Sequence, residues 1–95
     1  MVPKVDISVR LVSEDVRSFH LAALVGEGGS ETKHEVTLRR DLLTRLAPGE
    51  SAESFVRRCF AFLLEREAKE SILRVFDVSV IARYFPEFER MIALR

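Results

Sequence analysis

The chain has 95 residues, 47% apolar and 32% charged, and its 15 basic and 15 acidic side chains give a formal net charge of zero. That composition describes an ordinary soluble domain with room for one modest core and an expected radius of gyration of ~12 Å, too apolar for a disordered chain and too poor in Gly and Pro for a linker. The neutral balance also argues against nucleic acid or an anionic membrane surface as a default partner, because such binding rests on a basic face that displaces counterions.

Residues 1–6 enter an alternating pattern at once, without the apolar core of a signal peptide. The longest apolar runs, Leu21 to Val25 and Cys59 to Leu64, fall far short of the ~20 residues that cross a bilayer. With Cys59 as the lone cysteine, a cytoplasmic chain with no membrane partner is expected.

Val5, Ile7, Val9 and Leu11 are apolar at every second position, which predicts a strand with one buried face. Ser13-Glu14-Asp15 predicts a turn, and Phe19, Leu21, Ala23 and Val25 resume the period of two. Gly26 to Ser30 reads as a flexible hairpin tip, after which His34, Val36 and Leu38 alternate with polar residues. Three such strands form an antiparallel meander whose apolar face needs a cover.

The second half of the chain supplies that cover. Asp41 is placed to cap a short helix, Leu42 to Leu46, which Ala47-Pro48-Gly49 ends. Ser51 then caps the main helix, where Ala52, Phe55, Val56, Cys59, Phe60 and Leu63 recur at helical spacing. Glu53 with Arg57 and Glu65 with Lys69 read as i, i+4 surface pairs, and the helix is expected to break around Glu70-Ser71. Asp77 predicts the cap of a third helix containing Val78, Ile81 and Phe85. Pro86 breaks that helix and opens a further short one, with Glu87 and Glu89 at its positive end and Arg95 at its negative end.

The residues able to carry chemistry do not assemble into a known constellation. His20 and His34, placed by the hairpin opposite residues 38–40 and 24–26, read as partly exposed strand side chains roughly 20 Å apart, too far for a shared metal. The Gly26 to Ser30 segment leads into a strand and lacks the Gly-Lys-Ser/Thr of a phosphate loop. No serine sits in a Gly-x-Ser-x-Gly elbow, and Cys59, between Phe55 and Leu63, reads as a buried inert thiol. Neither a catalytic residue nor a metal or other cofactor is expected.

Val36-Thr37-Leu38-Arg39-Arg40, then Asp41 to Leu46, then Ser51 to Phe55 and an apolar helix, resembles the strand, helix, helix order of the ribbon-helix-helix repressors and related antitoxins. The resemblance implies a strand that pairs across a dimer, with Thr37 and Arg39 facing the bases and the helix N-terminus at Ser51 meeting phosphate. Against it, acidic and basic side chains nearly balance over residues 33–68, and the two preceding strands compete for the same strand edge.

Phe76, Tyr84, Phe85 and Phe88 make the C-terminal stretch dense in rings. Phe62, Leu64, Val80, Tyr84, Phe88 and Met91 lie outside the narrowest apolar stripes, more than a three-stranded sheet can cover. Aromatic and Met side chains are enriched in interface cores, so Tyr84, Phe88 and Met91 are the expected contact surface for a protein partner or a second copy. The expected fold is α+β: one domain over residues 1–95, with a meander in 1–40 and three to four helices in 41–95 packed on one sheet face. The expected function is a noncatalytic interaction or regulatory module, with a DNA-binding regulator of ribbon-helix-helix type as the alternative.

Overall fold

The computed structural model describes residues 5–93. Three ten-residue strands, β1 (Val5–Glu14), β2 (Ser18–Glu27) and β3 (Ser30–Arg39), form the expected antiparallel meander. Four short to medium helices follow, α1 (Arg40–Leu46), α2 (Ala52–Leu64), α3 (Ile81–Tyr84) and α4 (Phe88–Ile92), and the fold is α+β. A fourth strand, β4 (Val75–Asp77), joins the sheet parallel to β3 and gives the order β1-β2-β3-β4. The division of the chain at residue 40 into strands and helices is therefore crossed: α1 and α2 are the crossover of a parallel β3-to-β4 connection, which two parallel neighbours require.

Both hairpin turns follow from local chemistry. Glu27 pairs with Ser30, and the two residues between them, Gly28 and Gly29, have φ of 60° and 82°. Positive φ at both central positions is the type I′ requirement, so the turn is tight where the sequence reading allowed five loose residues. Replacing Gly29 by Ala is expected to cost about 1 kcal/mol in a denaturant melt, from the left-handed backbone alone, since a Cβ there meets nothing within 4 Å. At the other turn the Asp15 carboxylate accepts from the amides of Arg17 at 2.8 Å and Ser18 at 2.9 Å, and lies 3.1 Å from His20 Nε2. These donors hold its carboxyl down at about 2, the Arg17 amide contributing most. Its folded value lies below the ordinary one, so the stabilisation is complete above about pH 4 and is lost as pH falls through about 2. An NMR titration of Asp15 is expected to show that low midpoint.

One face of the sheet is apolar and covered. Leu21, Ala23 and Val25 of β2 and Val36 and Leu38 of β3 are buried there, with Ile7, Val9 and Leu11 of the edge strand β1 half-buried. The α2 helix lies over β1 and buries Phe55, Val56, Cys59, Phe60, Phe62 and Leu63. Its N-cap is Ser51, whose hydroxyl accepts from the Ser54 amide at 3.1 Å. The radius of gyration is 12.9 Å.

Several local readings change. Asp41 does not cap α1: the cap is Arg39, without a side-chain bond, and Asp41 sits in the first turn beside the positive helix end. The main helix stops at Leu64, so Glu65 and Lys69 are not a helical pair. Lys69 is instead buried in a 3-10 turn, Lys69–Ser71, and bonds Glu70. Glu53 has no salt bridge with Arg57; its carboxylate accepts from the Leu11 amide of β1 at 3.4 Å. Asp77 does cap, accepting from the Ser79 amide at 2.9 Å, but the turn it opens is a 3-10 turn, Val78–Val80, leading into α3. Pro86 precedes α4 without being in it, and Arg95 lies outside the described residues.

Candidate functional site

Where α2 ends, the chain stops covering the sheet and builds a recess. Leu63 from the end of α2, Glu67, Ile72 and Leu73 from the following segment, Phe76 of β4, and Ile81, Tyr84 and Phe85 around α3 line an open groove of about 300 Å³. That volume is at the lower end of the range for ligand sites, enough for one or two side chains of another chain. The lining is mostly apolar, and Tyr84 and Leu73 on its rim are 67% and 48% exposed. One carboxylate faces this apolar wall: burial pushes the Glu67 carboxyl above its ordinary range, and Glu67 has no ion pair among the described residues.

The three residues expected to form one contact surface are separated. Tyr84 lies on the groove. Phe88 is 1% exposed and belongs to the core, its ring 5.1 Å from that of Phe62 in an edge-to-face contact. Met91 is exposed but on another wall, where its sulfur receives Arg66 Nη2 at 3.3 Å. The reason is the break at Phe85-Pro86. Tyr84 and Phe88 would share a face on a continuous helix, but Phe85 is extended at φ −131°, so α4 starts in a new direction and turns Phe88 inward.

Arginines hold this C-terminal region in place. Arg66 donates to the Phe62 carbonyl at 2.9 Å and to Glu87 at 3.2 Å, with its guanidinium 3.6 Å above the Phe62 ring. Arg58 clamps Glu50 with two bonds, at 2.6 and 3.0 Å, and donates to the Ile92 carbonyl at 2.7 Å, tying the end of α4 to α2. The Arg58 guanidinium holds the Glu50 carboxyl below its ordinary range. Replacing Arg58 by Ala is expected to cost about 1.5–3 kcal/mol in denaturant melts, the range for hydrogen bonds to charged groups. The change is also expected to speed hydrogen exchange in α4.

The histidines lie on opposite faces of the sheet. His20 pairs with Thr37 and His34 with Ala23, one residue away from the expected registers because the turn is the two-glycine one. His20 stays half-exposed near Asp15, as expected, whereas His34, at 2% exposure, is a core residue. Its Nδ1 donates to the Leu73 carbonyl at 2.8 Å, which leaves Nε2 to accept from the Thr32 hydroxyl, also at 2.8 Å. A neutral imidazole thus joins β3 to the segment that enters β4, just behind the groove. Burial raises the Cys59 thiol far above its ordinary value and leaves the sulfur as a small apolar filler. Among the described residues no three His, Cys, Asp or Glu side chains come together as a metal site would need, and no helix is long and apolar enough to cross a membrane.

The strand that resembled a ribbon-helix-helix reader, β3, has neighbours on both sides, β2 along its length and β4 at residues 35–37. The edge that such a strand offers to a second copy is filled. Comparison of the chain with known protein families, with curated proteins and with solved structures returned no match in any of the three.

Proposed function

We propose that the chain is a noncatalytic protein-interaction module that works in the cytoplasm and receives an apolar side chain of a partner protein in the groove beside Tyr84. The observation that carries this reading is the pairing of an open apolar recess with Leu73 and Tyr84 standing exposed on its rim. Aromatic rims over apolar pockets are the usual anchors of protein interfaces, because a ring buries a large area while losing little rotamer freedom. Glu67 adds a chemical preference. A carboxylate against an apolar wall gains most from a cation brought to it dry, so a partner with Lys or Arg next to its apolar anchor fits best. The noncatalytic part of the reading is supported by the engagement of both His34 nitrogens and by the burial of the Cys59 thiol.

Selection from a random peptide library on the wild-type chain tests the reading, with a Leu73→Glu variant as counter-bait. Enriched peptides are expected to share an aromatic or aliphatic anchor flanked by a basic residue. They are expected to perturb NMR signals of Leu63, Ile72 and Tyr84, and to lose binding to Leu73→Glu by tenfold or more. Peptides that bind both baits equally, or that perturb a different face, would sink the proposal. Leu73 is exposed, so the variant is expected to keep its stability to within about 0.5 kcal/mol.

A further inference from the structure

We infer that the outer edge of β1 is a self-complementary dimer interface, through which two copies of this chain join their sheets in antiparallel register about Ser8. The inference does not depend on the groove beside Tyr84, which belongs to the opposite end of the sheet order.

The backbone of β1 shows which groups are free. Glu27 and Ser30 flank a two-residue turn and are a hydrogen-bonded pair, so the odd-numbered residues of β2 bond β3 and the even-numbered ones bond β1. Through the pairs Asp6 with Gly26, Ser8 with Leu24 and Arg10 with Ala22, the even-numbered residues of β1 point their amides and carbonyls inward. Those of Val5, Ile7, Val9 and Leu11 point out of the sheet. The Leu11 amide gives the same phase independently, since it reaches away from β2 to the Glu53 carboxylate. The bulge between Leu11 and Ser13 disturbs the far end of the strand, and Glu53 sits at Leu11. Residues 5–10 contain no proline, and no described strand pairs with their outer edge. Natural sheets seldom leave such an edge unprotected.

Side chains then choose the partner and the register. Two outward-facing ladders can pair only with odd residues opposite odd ones, which restricts the antiparallel registers to alternate positions. With the two-fold axis at Ser8, Asp6 of each copy faces Arg10 of the other, Ile7 faces Val9, and Val5 faces Leu11. Moving the axis to Val9 places Asp6 opposite Val12 and Arg10 opposite Ser8, and moving it to Arg10 sets like charges opposite each other, Arg10 to Arg10 and Asp6 to Glu14. Of these, the Ser8 register alone matches charge with charge and apolar with apolar along the strand. Asp6 and Arg10 fall at non-hydrogen-bonded positions of the seam, where facing side chains come closest. Ile7, Val9 and Leu11, half-buried beneath α2, gain cover from the partner's strand. The Glu53 carboxylate, on an exposed side chain with a 3.4 Å bond, yields its place to the partner's backbone at Leu11.

Charge reversal tests the register. Wild-type chain is expected to sediment as a dimer at concentrations where Asp6→Arg and Arg10→Asp, each alone, are monomeric, because each variant sets like charges opposite at both ends of the seam. An equimolar mixture of the two variants is expected to restore dimers, and native mass spectrometry is expected to find one copy of each. In that mixed pair one strand is basic at both positions and the other acidic at both, so every facing pair is again of opposite sign. Both side chains are exposed, and circular dichroism melts check that each variant is folded. A wild-type monomer at high concentration would overturn the inference. So would a dimer that survives either single reversal, or a mixture of folded variants that stays monomeric.

Discussion

Phe60→Ala is expected to lower the unfolding free energy by about 3–5 kcal/mol, the usual cost of truncating a fully buried Phe, and to move the denaturant midpoint while leaving the m-value unchanged. Phe60 is 0% exposed and faces β3 and β4. Its ring lies 5.2 Å from that of His34 on β3 and 6.0 Å from that of Phe76 on β4, so one side chain of α2 holds both parallel strands. Domains of this size hold roughly 5–15 kcal/mol in all, so the variant gives up a large share of its stability. A loss below about 1 kcal/mol would mean that α2 turns a different face to the sheet.

His34→Leu is expected to cost about 2–5 kcal/mol at pH 7.5, although Leu is more apolar than His. The substitution leaves the Leu73 carbonyl and the Thr32 hydroxyl without the imidazole, and each buried unsatisfied group costs about 1–3 kcal/mol. The pH dependence has a definite sign. Burial pushes the imidazole below its ordinary value of 6.5, with the Leu73 carbonyl opposing that shift. Below pH 6.5 the unfolded chain then binds a proton that the folded chain resists, so stability is complete above 6.5 and falls as pH drops towards the folded value. The slope in that window reaches at most about 1.4 kcal/mol per pH unit, and His34→Leu is expected to lack it. Urea melts from about pH 5 to 7.5 on both proteins decide the matter; a slope that survives in His34→Leu would belong to another group.

Much of this architecture was legible in the residues because period carries it. Val5 to Leu11 and His34 to Leu38 alternate, Phe19, Leu21, Ala23 and Val25 keep the same period through a more apolar stretch, and Ala52 to Leu63 repeats at helical spacing, so the meander and α2 follow from which faces must leave water. The burial of His34 was also available: it shares parity with Val36 and Leu38 and so lies on the apolar face, whatever its polarity suggests. β4 was not legible, because three residues hold no alternation to detect and their place is set by β3 and Phe60. The end of α2 was hidden for the opposite reason. Glu65-Arg66-Glu67-Ala68-Lys69 are all good helix formers, and the tertiary bond of Arg66 to Glu87 and the burial of Lys69 override their propensity. Of the three residues expected at the contact surface only Tyr84 reaches the groove, since helical spacing has no meaning across the break at Pro86.

The parallel seating of β4 also orders the events of folding. The two hairpins need only contacts between near neighbours in the chain, and such contacts form fast because little loop entropy opposes them. The His34 bond to Leu73 spans 39 residues, so docking of β4 carries the larger loop-closure cost and is expected to follow the two hairpins. The segment that walls much of the groove, from Ile72 to Phe85, is then expected among the late arrivals. A ligand held there would bind only chains in which that segment has docked, and its binding energy would act chiefly by slowing the detachment of that segment.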